Sequence, residues 1–182
     1  MRITIAITGA SGAIYARQLV ERLVELRVSV ELIFTENGRA VAEYENQIGL
    51  FNRNDIKYLD NKNMFASPAS GSGCADAMVI VPCSMGMIGR IASGCSNDLI
   101  SRAADVMLKE GLPLIVVPRE VPFNTIHLRN LCELGNAGAT ICPAAPSFYN
   151  NPSNIEELCS SVTERIIRLL GLKSNQLPWG NR

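Results

Sequence analysis

The chain has 182 residues, 47% of them apolar, and seventeen basic side chains balance seventeen acidic ones. That suffices for one domain with a sizeable core and is too little for two. A net charge of zero excludes a bulk electrostatic pull toward nucleic acid or an anionic membrane, and no apolar run reaches the roughly 18 residues of a membrane-crossing helix.

Ile3 to Ile7 reads as a first strand rather than a secretion signal, because it runs straight into the tight turn Thr8-Gly9-Ala10-Ser11-Gly12-Ala13. Leu19, Val20, Leu23 and Leu26 fall at helical spacing within Ile14 to Leu26. Val28 to Phe34 predicts a second strand, ended by Thr35-Glu36-Asn37-Gly38, with a helix from Arg39 to about Glu45. Residues 46–73 are polar and aperiodic and read as a long excursion with marginal local structure. Ala77 to Val81 is a wholly apolar third strand stopped by Pro82-Cys83-Ser84, followed by helices over Met85 to Ala92 and Asp98 to Glu110. Leu114 to Val117 is a fourth strand, Thr125 to Asn136 a helix, Thr140 to Cys142 a fifth strand, and Ile155 to Leu170 the last helix. Residues 1–172 form one domain and 173–182 a polar tail broken by Leu177-Pro178-Trp179.

Strands apolar on both faces and alternating with helices predict a single-domain, doubly wound α/β fold. It is Rossmann-like or flavodoxin-like, with a mostly parallel sheet and helices on both faces. Six cysteines with no CxxC, and a single histidine, give no zinc or thioredoxin-like site. They read as reduced thiols in a cytoplasmic protein. His127, among Ile126, Leu128 and Leu131, reads as a satisfied structural histidine. Few charges on a neutral chain point to a homo-oligomer.

Ligands of such folds bind at the carboxyl ends of the strands. The Gly9-Ala10-Ser11-Gly12 turn offers close backbone approach and helix amides to an anion, but neither GxGxxG nor TGxxxGxG is present. Thr35 stands where a NAD site wants an acid, so the turn favours a mononucleotide such as FMN. Ser84 begins a helix as an N-cap should. Arg102 and Lys109 lie seven apart on one helix, with Asp105 and Glu110 near enough to make a salt-bridged surface instead. Arg119-Glu120 follows a strand directly, at site level. Without a DDxxD, GxSxG or Walker A motif, metal-bound diphosphate, hydrolase and P-loop chemistry have no support.

Several motifs recur in order: Thr8-Gly9-Ala10-Ser11-Gly12-Ala13, Pro68-Ala69-Ser70-Gly71-Ser72, Pro82-Cys83-Ser84, Arg102-Ala103-Ala104-Asp105-Val106, Leu108-Lys109-Glu110, Pro118-Arg119-Glu120 with Pro122, Ile126-His127-Leu128, and Pro146 with Phe148-Tyr149. As a set they resemble the UbiX-type flavin prenyltransferases, also called UbiX/Pad proteins and formerly described as aromatic acid decarboxylases. The resemblance covers nearly the whole chain. It implies a cytoplasmic, metal-independent transferase that moves a dimethylallyl group from dimethylallyl monophosphate to N5 and then C6 of reduced FMN. The products would be phosphate and prenylated FMN for a UbiD-type decarboxylase, in ubiquinone biosynthesis or in aromatic acid decarboxylation. It also implies a dodecamer with sites at subunit junctions.

By the same resemblance Gly9, Ala10, Ser11, Thr35, Ser84, Met85, Met87, Arg102 and Arg119 would bind the flavin. Lys109, Tyr149 and Arg165 would grip the dimethylallyl phosphate. Glu45, Glu120 and Lys109 would act in catalysis, with Ser11 as a proton relay. The chain departs from the family pattern at Met87, where a Thr is common, and at Gly111-Leu112, where two arginines are usual. Met64 or Phe65 occupies the region where the family often has a tryptophan. The alternatives are an FMN-dependent cysteine decarboxylase of the same fold, disfavoured by Pro68-Ala69-Ser70-Gly71-Ser72, and a non-catalytic flavin carrier.

Overall fold

The computed structural model describes residues 1–175; the Trp179 segment lies outside them. Six strands, β1 (Arg2–Ile7), β2 (Ser29–Phe34), β3 (Lys57–Asp60), β4 (Ala77–Cys83), β5 (Leu114–Pro118) and β6 (Thr140–Ile141), form one sheet. Their order is β3-β2-β1-β4-β5-β6, and every pairing is parallel. The chain winds outward from β1 to β3, returns, and winds the other way from β4 to β6. The reversal opens a crevice between the carboxyl ends of β1 and β4, where doubly wound sheets bind ligands.

Side-chain alternation builds two cores. Ile3, Ile5, Ile7, Val30, Leu32, Val79 and Val117 face one side, with Leu19 and Leu23 of α1 (Ala13–Glu25) and Ile166 of α6 (Ile155–Leu169). Ala6, Ile33, Met78, Ile80 and Val116 face the other, with Ile88 of α3 (Met85–Ala92), Leu99 and Ala104 of α4 (Leu99–Lys109) and Leu134 of α5 (Thr125–Asn136). Each fully buried Leu or Ile contributes about 1.5–3 kcal/mol, so the two layers fix the strand ends that carry the site.

Three expectations need correction. The stretch read as a long excursion with marginal local structure contains β3, which pairs Glu31 with Lys57 and Phe34 with Asp60. It escaped notice because a four-residue edge strand that is mostly exposed carries no apolar run. The helix expected from Arg39 begins at Glu36, forming α2 (Glu36–Tyr44), because Thr35 caps it: the Gly38 amide donates to its Oγ1 at 2.9 Å. Asp98 lies just outside α4 as the residue of a capping box with Ser101. His127 is structural as expected, but as the capping-box partner of Asn124 at the start of α5, half-buried rather than in the core.

Candidate active site

The β1 turn and the β2 turn pack on one another through glycine. A Cβ on Gly9 would lie 2.7 Å from the Asn37 Cβ, so only a hydrogen there lets the turn sit against the start of α2. Gly12 has φ +113°, a left-handed conformation that favours glycine. The turn is tied across the crevice by Thr8, a buried residue whose role sequence reasoning missed. Its hydroxyl donates to the Pro82 carbonyl at 2.9 Å and accepts from the Ser84 amide at 2.7 Å. This one side chain sets the spacing between the turn and the start of α3.

The expectation of free amides at the amino end of α1 holds only in part. The Glu45 carboxylate takes the Gly12 amide at 2.9 Å and the Ala13 amide at 2.8 Å. The Ala10 amide is turned to the Thr8 carbonyl. Among the described residues no acceptor meets the amides of Gly9 and Ser11, which leaves two open donors on this exposed turn. Ser84 caps α3, its Oγ accepting from the Met87 amide at 3.4 Å. Met85 is buried at the start of α3. The Met87 side chain turns inward, where its sulfur accepts from Arg90 at 3.5 Å.

Arg119 leaves β5 beside the same crevice; its amide donates to the Cys83 carbonyl at 3.3 Å. Its guanidinium lies close enough to Tyr15 to ease ionisation of that phenol. Burial and the neighbouring Cys159 nonetheless push the Tyr15 pKa up to about 12. Among the described residues no carboxylate pairs with Arg119. Glu120 is half-buried, its Oε1 accepting from the Val121 amide at 3.0 Å. Burial also pushes the Cys83 thiol upward, which leaves it an inert wall rather than a nucleophile.

The remaining cations lie on α4 and α6. Arg102 donates to the Ala69 carbonyl at 3.1 Å and pairs with Asp105 at 2.7 Å. Lys109, two turns further along α4, pairs with Glu110 and lies against Gly71. That loop runs on to Gly73 and Cys74, whose carbonyls take the Arg2 guanidinium at 2.7 and 2.6 Å. Arg2 opens β1, so Lys109 lies at the amino ends of the strands, roughly 17 Å along a six-residue strand from the Gly9 turn. Arg165 is exposed on α6 near Cys142, whose thiol burial pushes up while Arg165 draws it down. The loop carrying Tyr149 is pinned to the same helix, the Ser147 amide donating to Ser161 Oγ at 3.0 Å. Ser161 lies one turn before Arg165, so Tyr149 and Arg165 share one side of the subunit. One chain therefore brings Gly9, Ser11, Thr35, Glu45, Ser84, Met85, Arg119 and Glu120 to the carboxyl ends of the strands, where the Ala144 amide on the Pro118 carbonyl also starts the loop that carries Tyr149, and it presents Lys109 at the opposite end.

A family model described as Flavoprotein matches residues 1–167. The chain is 41% identical over 198 residues to the flavin prenyltransferase UbiX of Pseudomonas aeruginosa, covering 100% of this chain and 95% of that one. In three dimensions it is similar to AnUbiX in complex with FMN and dimethylallyl pyrophosphate, with TM-score 0.90, 37% identity and 98% of each chain covered. It is also similar to a dodecameric FMN-dependent UbiX-like decarboxylase from Escherichia coli O157:H7, with TM-score 0.89, 31% identity, and 98% and 99% covered.

Proposed function

The chain belongs to the Flavoprotein family and is a flavin prenyltransferase, and we propose that it moves a dimethylallyl group from dimethylallyl monophosphate to reduced FMN. The observation that carries this reading is the pair of Gly9 and Ser11 amides, without an acceptor among the described residues, on the turn that Thr8 ties to Ser84, with Arg119 bonded beside it to Cys83. Such a set fits a flavin mononucleotide: open amides and a hydroxyl for its phosphate and ribityl oxygens, a guanidinium for an electron-rich ring edge, and buried Met85 for its flat face. Reduced FMN supplies the nucleophile, N5 first and C6 second.

The reaction breaks the allylic C–O bond, and its electron pair leaves with phosphate. Fixed cations complement the charge that develops on that oxygen, and charge-assisted bonds are about twice as strong as neutral ones. Lys109, Tyr149 and Arg165 are suited to that grip, and Arg119 to joining it from the flavin side. Because Lys109 sits at the far end of its own strands, we assign it to the site of a neighbouring copy, within a dodecamer. Glu120 and Glu45 flank the crevice and can give a proton to the alkene of the transferred group and take one back from C6 when the second bond forms, with Ser11 relaying it. The product goes to a UbiD-type decarboxylase. Six free thiols fit a cytoplasmic setting.

The test is anaerobic incubation with reduced FMN and dimethylallyl phosphate, followed by mass spectrometry of the flavin. The expected result is a gain of one isoprene unit with release of phosphate. Unaltered FMN, with flavin binding confirmed, would overturn the proposal.

A further inference from the structure

Glu31 is the third residue of β2, in the interior of a parallel sheet, and its side chain is 2% exposed. A buried carboxylate is costly there, and an apolar residue would serve the core better. Its partners come from three separate segments. Thr4 Oγ1 of β1 donates to Oε2 at 3.3 Å, Lys57 Nζ of β3 to Oε1 at 3.0 Å, and Ser67 Oγ to the same Oε1 at 3.3 Å. Glu31 is thus the junction between the sheet, its edge strand and the loop that starts at Ser67.

That loop is the common support of two predicted site cations. Two residues past the tether, the Ala69 carbonyl holds Arg102 Nε at 3.1 Å. Two residues further, Gly71 lies so close to Lys109 that a Cβ there would stand 3.1 Å from Nζ. The far end of the loop is clamped by Arg2. Between its two clamps the loop therefore sets the wall against which Lys109 stands, while Arg102 keeps its own pair with Asp105.

We propose that Glu31 is a positioning residue for the prenyl donor: by anchoring the loop of residues 67–73 it fixes the surroundings of Lys109, while the flavin crevice stands without it. This rests on the prenyltransferase reading of Lys109. Steady-state kinetics and flavin titration on Glu31→Ala, Glu31→Gln and Ser67→Ala, with amide hydrogen exchange in the loop, test it. The expected result for Glu31→Ala is a KM for dimethylallyl phosphate raised tenfold or more and an FMN Kd within twofold of the wild-type value. The Ser70 and Gly73 amides, which bond Ser67 and Ser70 carbonyls, lose protection. Glu31→Gln, which retains an acceptor oxygen, recovers most of the KM. Ser67→Ala, which cuts only the loop tether, raises KM about threefold and decides the matter if Glu31→Ala fails to fold. An unmoved donor KM in Ser67→Ala and Glu31→Gln together with Glu31→Ala, or an FMN Kd that rises in step with it, overturns the assignment while the wild-type transfers the prenyl group. A wild-type protein without transferase activity overturns the functional reading and the assignment with it.

Discussion

Glu45 closes the amino end of α1 from 33 residues away, its carboxylate accepting from the Gly12 amide at 2.9 Å and from the Ala13 amide at 2.8 Å. Gly12, in its left-handed conformation, has no side chain with which to cap the helix itself. Glu45 in turn sits at the end of α2, so one ion joins the negative end of one helix to the positive end of the next. The same contact leaves Gly9 and Ser11, not the helix amides, to meet a ligand.

Replacing Glu45 separates its two roles. Glu45→Ala removes a cap and should cost about 1 kcal/mol of stability, read as a lower midpoint in thermal unfolding. Glu45→Gln keeps an acceptor for one amide and should unfold near the wild-type temperature. If the negative charge also serves the chemistry, Glu45→Gln nonetheless slows prenyl transfer at least tenfold while flavin titration is unchanged. Equal rates for Glu45→Gln and wild type would confine Glu45 to capping.

Gly9→Ala drives a methyl into Asn37, at 2.7 Å from its Cβ. The turn or the start of α2 must shift, at a cost of about 1–3 kcal/mol. Because the open amides belong to that turn, flavin affinity should fall along with stability. Gly94→Ala is the control: φ is +72° there, but nothing lies within 4 Å, and flavin affinity should not move. Fluorescence titration of FMN against both variants distinguishes them.

What could be read from the chain depends on how local each signal is. Pro82-Cys83-Ser84 and the glycine turn are punctuation, and the structure puts both at the crevice with Ser84 as the expected cap. The roles of Glu45, Thr8 and Glu31 are set by contacts across 33, 76 and 36 positions, which follow from sheet order and register and leave no mark in spacing. β3 was invisible for a related reason: its pairing is held by Lys57 on Glu31 rather than by an apolar pattern of its own. Helix periodicity put Arg102 and Lys109 on one helix, but it could not show that α4 runs away from the crevice. That direction comes from Asn61, beyond β3, bonding the start of α4, and from Gly71 meeting its end.

Acid should unfold the protein through its caps. Burial alone would push the Asp98 carboxyl up, but bonds from the Ser101 amide and hydroxyl and from Arg90 outweigh it and hold it low. Glu156 is likewise held low, chiefly by Gln18, with Arg17 adding to it. A carboxyl lowered in the folded state binds its proton more readily when unfolded. Its contribution is complete above the unfolded value of about 4 and is lost as the pH falls through the folded value. Unfolding midpoints should therefore hold from pH 7 to about 5 and drop below 4. Asp98→Asn keeps a capping oxygen but loses the charge facing Arg90, so it should be less stable than the wild type at neutral pH and show a shallower fall in acid.

Lys109 and Arg119 occupy opposite ends of one subunit, and this makes the trans assignment testable without a structure of the assembly. Lys109→Ala should bind FMN as the wild type does, since Lys109 lies by Gly71 at the amino ends of the strands. Its prenyl transfer should fall by about 3–4 kcal/mol of barrier, the effect of losing one preorganised charge. Arg119→Ala should weaken both flavin binding and transfer. If each site takes Lys109 from a neighbour, unfolding the two variants together and refolding them as mixed oligomers creates some sites with both cations intact. Activity should then exceed that of either variant alone by at least tenfold. A cis arrangement allows no such recovery, because every crevice in the mixture would lack one of the two side chains. The mixture also separates catalysis from carriage: a protein that only delivered FMN would activate its decarboxylase as well with Lys109→Ala as without it.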